Sequence, residues 1–136
     1  MVAIEVFARV SSVLCGMREV HALLRRVLPE GATVWSLEEG VRIDEREVVL
    51  RIRAPYTSFC LYETAILGTL ASETGWATAA QKCVRAADGI PVIHFGARHV
   101  HPDVSGRLEY AACVGGCATC ATPWGADLAG VDPSGT

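Results

Sequence analysis

A change of hydrophobic period near Ile90 constrains this chain more than any other feature. An apolar run from Ile90 to Ile93 leads into the turn Phe95-Gly96-Ala97-Arg98-His99-Val100-His101, and a helical spacing resumes at Pro102 and stops at Gly115-Gly116. This order predicts a β-loop-α unit, with a strand over Ile90 to Phe95 and a helix from Pro102 to about Val114. Proline suits the first helical position, where its missing amide hydrogen costs nothing. Val104, Leu108 and Ala111 are expected to face inward, and Cys117 to Ala121 to form the next strand. Such a unit is compatible with an α/β fold class.

The chain ahead of this unit reads as a mixed α+β segment. Val2, Ile4 and Val6 alternate as in a half-buried strand. Val20, Leu23, Leu24, Val27 and Leu28 recur at helical offsets, predicting an amphipathic helix over Arg18 to Leu28, with Arg18, Arg25 and Arg26 solvated and Pro29 as the stop. Between Ala32 and Arg53 the β-branched clusters predict two or three strands, with a turn at Glu38-Glu39-Gly40. Ser58 is expected to cap a helix with Phe59, Tyr62, Ile66 and Leu70 on its apolar stripe, ending at Gly75, and a second helix is expected over Thr78 to Ala87. Pro123 to Thr136, rich in Gly and Pro, shows no closing element. The expected domains are 1–89, mixed α+β, and 90–136, the start of the α/β portion.

Composition narrows function by exclusion. With 51% hydrophobic and 20% charged residues, the chain has enough apolar surface to offset its ordering entropy. A net charge of -3 provides no broad cationic field, which disfavours nucleic acid and acidic membrane surfaces as partners. No apolar run is long enough to cross a bilayer and no secretory leader is evident, so a cytoplasmic protein is expected, with its six cysteines reduced.

In a parallel α/β arrangement, ligands bind at the loops after the strands' C-terminal ends, because the following helix offers free amides and a partial positive charge. Phe95 to His101 is such a loop, and an aromatic face with a guanidinium fork suits an anionic aromatic ligand. The alternative reading makes Phe95 core and Arg98 a surface ion pair.

Together with Pro55-Tyr56-Thr57-Ser58-Phe59-Cys60-Leu61-Tyr62-Glu63-Thr64-Ala65-Ile66-Leu67-Gly68 upstream, Phe95 to Pro102 and Gly115-Gly116 resemble the nicotinate phosphoribosyltransferase family of type II phosphoribosyltransferases, over roughly Pro29 to Thr136. The resemblance implies an N-terminal mixed domain followed by an α/β barrel. Such a barrel needs about 250 residues, so 136 can hold only its first strand-helix units. It implies a glycosyltransferase and ligase of NAD salvage that joins nicotinate to phosphoribosyl pyrophosphate, with Mg2+ and ATP as cofactors and a homodimer or a complementary C-terminal polypeptide as partner. It implies substrate binding by Phe95, Gly96, Arg98, His99 and Thr119, and an inter-subunit contact at Thr78. His99 stands where many members carry a second arginine, replacing a permanent charge by a titratable one. Ala118 stands where members carry an acidic residue. The family's active-site histidine follows a Gly-Thr pair like Gly135-Thr136 and so lies beyond Thr136. The chain alone is therefore expected to be an inactive fragment.

Other classes stay open. A quinolinate phosphoribosyltransferase shares the architecture but surrounds its dicarboxylate with several basic residues, for which Arg85, Arg98 and Arg107 are the candidates. A non-catalytic remnant or subunit is another reading. The pattern Cys113-x3-Cys117-x2-Cys120 suits a metal or redox protein, since three soft thiolates can hold iron. Against it, a helix end and a strand are expected to separate Cys113 from the other two. His94, His99 and His101 lack partners at recognised metal-site spacing, so no metal ligands are assigned.

Overall fold

The computed structural model describes residues 1–135, arranged as two compact units, Met1–Ser72 and Glu73 onward. Thr136, the second half of the Gly135-Thr136 pair, lies outside the described residues. The division falls inside a long helix rather than at the expected boundary between 89 and 90. Gly89 marks where that helix has ended, which is not where the packing changes.

In the first unit, strands β1 (Val2–Phe7), β3 (Thr33–Ser36) and β5 (Val48–Ala54) form an antiparallel sheet in the order β1-β5-β3, and β2 (Ser12–Val13) pairs with β4 (Arg42–Ile43). The alternation read in β1 is realised at Ile4 and Val6, which pack on the core, whereas Val2 at the strand start is exposed together with Ala3, Glu5 and Phe7. Helix α1 (Met17–Val27) buries Met17, Val20 and Leu24 and leaves Arg18, Arg25 and Arg26 exposed. Its N-terminus is closed from afar, because the Glu39 carboxylate accepts from the Gly16 amide at 2.8 Å and the Arg18 amide at 3.1 Å. Leu14, Leu50, Ile52, Phe59 and Ile66 are nearly inaccessible and complete the core.

Helix α2 (Glu63–Ala86) corrects the expectation of two helices. Ser58 is not its cap: its hydroxyl donates to the Pro55 carbonyl at 2.7 Å, within the first of two short 3-10 turns that precede α2. Gly75 does not end it either. A mid-helix glycine costs about 1 kcal/mol, which neighbouring turns of good helix formers offset. Thr78 is thus helical interior, and its hydroxyl donates to the Thr74 carbonyl at 2.6 Å.

The second unit holds the β-loop-α arrangement in shortened form. The strand β6 is only Ile93–His94, since Pro91 has no amide hydrogen to pair and Ile90 is 71% exposed. It pairs in parallel with β7 (Thr119–Cys120), in the register Ile93 to Thr119 and His94 to Cys120. Between them runs α3 (Pro102–Val114), with Pro102 at its first position and the His101 ring accepting from the Asp103 amide. Gly115 caps α3 and Gly116 leaves it with φ 109°, as the Gly-Gly pair predicts. The inward face is rotated from expectation: Leu108 and Ala111 are buried, Val104 is exposed, and Gly106, Glu109 and Tyr110 join the buried side. A closing element is present after all, as α4 (Pro123–Ala129), capped by the Thr122 hydroxyl. Among the described residues, no helix is long and apolar enough to cross a membrane.

Candidate functional site

Because β6 and β7 are parallel, their C-terminal ends open on the same side, and the segments that follow them lie where a parallel sheet receives ligands. After β6 comes a 3-10 turn, Gly96–His99, which carries Arg98 between the strand and α3. Phe95 is 44% exposed at the entrance to this turn, and Arg98 and His99 are exposed on it. Four of the sequence-derived residues, Phe95, Gly96, Arg98 and His99, are therefore gathered in one turn. Phe95 and Arg98 both stay exposed to solvent.

Gly96 serves this turn by its lack of a side chain. A Cβ there would lie 2.6 Å from the His94 ring, so any larger residue displaces the ring. His94 Nδ1 accepts from the Gly96 amide at 3.4 Å. Burial holds the His94 ring below the ordinary histidine pKa, and His99 lowers it further against the opposing pull of Glu109. Neutral at pH 7, the ring keeps Nδ1 available as an acceptor.

After β7, the chain is fastened from behind. Glu109, fully buried on α3, accepts from the Ala121 amide at 3.0 Å and the Thr122 amide at 3.1 Å, and from the Thr122 hydroxyl. That hydroxyl in turn accepts from the Gly125 amide at 3.1 Å and starts α4. The Thr119 hydroxyl donates to the Asp132 carbonyl. Both threonines next to the turn thus direct their protons into the protein, and a ligand meets them only as acceptors. Sequence reasoning missed Glu109, because a single glutamate on a helix looks like part of a solvated face. Thr78, on α2, is not part of this gathering.

Of the three cysteines in the C-x3-C-x2-C pattern, Cys113 falls, as expected, on a helix end and Cys120 on a strand, with Cys117 in the connection between them. The end of α3, which carries Cys113, packs against β7, which carries Cys120. Burial raises all three thiols above the ordinary range, Cys120 to about 12. Among the described residues, Cys113, Cys117 and Cys120 do not form a group of ligand atoms within 4.8 Å of one another. At neutral pH these are protonated, packed thiols.

A mixed α+β unit followed by parallel strand-helix units is the arrangement of the N-terminal portion of a type II phosphoribosyltransferase. The quinolinate phosphoribosyl transferase N-terminal domain model matches residues 1–74, and the chain belongs to this family. Nicotinate phosphoribosyltransferase pncB2 of Mycobacterium tuberculosis is 31% identical over 104 residues, covering 76% of this chain and 22% of that protein. Among solved structures, nicotinate-nucleotide pyrophosphorylase from Pyrococcus furiosus superposes with a TM-score of 0.89 at 36% identity, over 98% of this chain and 35% of that one. Human nicotinic acid phosphoribosyltransferase shares the fold, with a TM-score of 0.81 at 21% identity, over 98% of this chain and 34% of that one. The chain thus spans about a third or less of the length of these relatives.

Proposed function

We propose that this chain supplies the substrate-facing turn of a cytoplasmic phosphoribosyltransferase of NAD metabolism, which joins nicotinate to phosphoribosyl pyrophosphate and releases pyrophosphate. The observation that carries this reading is the exposed Phe95, Arg98 and His99 turn at the C-terminal end of a parallel strand. The relatives named above support phosphoribosyl transfer in NAD metabolism.

In this reading Phe95 stacks on the pyridine ring, and the Arg98 fork holds a carboxylate or phosphate. As pyrophosphate leaves, the anomeric carbon of the sugar gains positive character, so rate depends on holding nucleophile and sugar in line and on balancing the charge that develops. In this reading magnesium would come with the pyrophosphate, and ATP would be a co-substrate. The residues around this turn do not fit a magnesium site of their own: Glu109 is taken up by Ala121 and Thr122, and Asp103 lies 3.5 Å from His101. No step here is routed through the ion. A homodimer, with Thr78 near the partner, or a complementary C-terminal polypeptide completes the enzyme. Quinolinate is the second substrate reading, favoured by the family model that matches residues 1–74.

The test measures mononucleotide formation from nicotinate or quinolinate, with phosphoribosyl pyrophosphate, magnesium and ATP. The chain alone is expected to show no turnover above background. With a complementary C-terminal polypeptide, Arg98→Ala is expected to lower catalytic efficiency by roughly ten- to a hundredfold, the loss of one charge-assisted hydrogen bond, and Arg25→Ala to leave it unchanged. Equal activity of the two variants would overturn the assignment of Arg98. Turnover of quinolinate alone would replace nicotinate as the substrate.

A further inference from the structure

We propose that Glu109 is a positioning residue, a buried carboxylate on α3 that fixes the turn after β7 and thereby the frame of the Phe95–His99 turn; this rests on the reading of that turn as the substrate site. The ladder that joins the two strands is two residues long, far too short to hold its own register. Something behind the strands must hold them. The helix α3 packs against β6, the Gly96–His99 turn, β7 and α4, and Glu109 is its one fully buried charged side chain.

The chemistry of this group suits fastening rather than filling. The carboxylate oxygens of Glu109 accept from three donors, the amides of Ala121 and Thr122 and the Thr122 hydroxyl. By accepting the hydroxyl's hydrogen bond it leaves the Thr122 oxygen to accept from Gly125, so a single side chain orders both the end of β7 and the first turn of α4. Glu109 also acts on His94, whose ring it pulls toward the charged form. The helix that carries Glu109 packs on β6 and on the Gly96–His99 turn, so its placement bears on the turn that carries Arg98.

The backbone of α4 is shaped around this side chain. A Cβ on Gly125 would overlap Glu109 Cβ and lie 2.5 Å from Oε2, so glycine is required for the helix to approach. A glutamine keeps the shape but points an amide group at donors, leaving at least one of them unpaired. An apolar side chain of that length would fill the space without directing anything. The carboxylate is needed for its acceptors.

The experiment compares the chain with Glu109→Gln and Glu109→Asp by amide hydrogen exchange and by nicotinate titration, followed through the amide resonances of Gly96 to His99. In Glu109→Gln, exchange at Ala121 and Thr122 is expected to quicken about tenfold or more, while Leu108 and Ala111 lose less protection and the melting temperature falls by several degrees, as one unpaired buried donor requires. Glu109→Asp, which restores the charge, is expected to recover part of the protection. Nicotinate is expected to bind Glu109→Gln about tenfold more weakly than the unaltered chain. Unchanged exchange at Ala121 and Thr122 would overturn the positioning role, as would uniform loss of protection across the unit or failure of both variants to fold. Absence of nicotinate binding to the unaltered chain, with the local exchange effect intact, would instead overturn the substrate reading and leave the fastening of the β7 turn standing.

Discussion

The two compact units solve the same problem with opposite materials. Met1–Ser72 is held by large apolar side chains, Leu14, Leu24, Leu50, Ile52 and Phe59 among them, each almost wholly removed from water. The interior from Glu73 onward is mostly alanines, cysteines and glycines, with Leu108 and Tyr110 as its larger side chains and Glu73 and Glu109 as buried carboxylates. The first unit gains stability from volume, the second from close approach of backbone and from a satisfied charge. The difference has a functional side: a glycine-rich interior lets helices sit directly behind short strands, which leaves the strand ends open for chemistry.

This contrast predicts which substitutions each unit feels. Cys15 and Cys120 are both fully inaccessible, one in each unit, so pulsed thiol labelling reports on the two interiors separately. Phe59→Ala removes the largest fully buried side chain and is expected to cost about 3–5 kcal/mol, speeding the labelling of Cys15 more than that of Cys120. Preferential exposure of Cys120 would break the comparison. Gly106→Ala adds one methyl where a Cβ would overlap the Trp124 ring, and is expected to cost about 1–3 kcal/mol, with Cys120 the more affected. A neutral result would show that α4 can shift aside.

The smallest effect is expected on the exposed sheet face of the first unit. There Arg51 joins Glu5 at 2.6 Å and stacks 5.7 Å from the Trp35 ring centre. Both charged side chains are about half exposed, so Arg51→Ala should cost less than about 1 kcal/mol, and less still at high salt. A larger loss in chemical denaturation would mean that this row braces the sheet, adding a polar element to a unit described here as apolar.

Legibility in the sequence follows the same divide. The strand β1 and the helix α1 were readable because burial on one side writes a period into the residues, and Ile4, Val6, Val20 and Leu24 carry it. The β-loop-α order was readable from Pro102 and Gly115-Gly116, which punctuate the chain through backbone chemistry alone. Gly75 misled, because a glycine with open space around it is as compatible with a helix interior as with its end. The helix α4 had its signals in Thr122-Pro123 and Gly130, a cap, a first-turn proline and a left-handed exit; the surrounding glycines and prolines masked them. Val104 was misread because the buried face of α3 includes a glycine and a glutamate, which hydrophobic periodicity does not count. The role of Glu109 depends on partners at Ala121 and Thr122, and no local pattern announces contacts of that range.

The closure of α1 by Glu39 has a consequence in time. The carboxylate stands 23 residues beyond Gly16 and 21 beyond Arg18. On a growing polypeptide, the helix therefore leaves the ribosome with two of its leading amides turned to water, and they receive their acceptor only once the segment through Gly40 has emerged and folded back. The first turn of α1 is finished by residues made well after it.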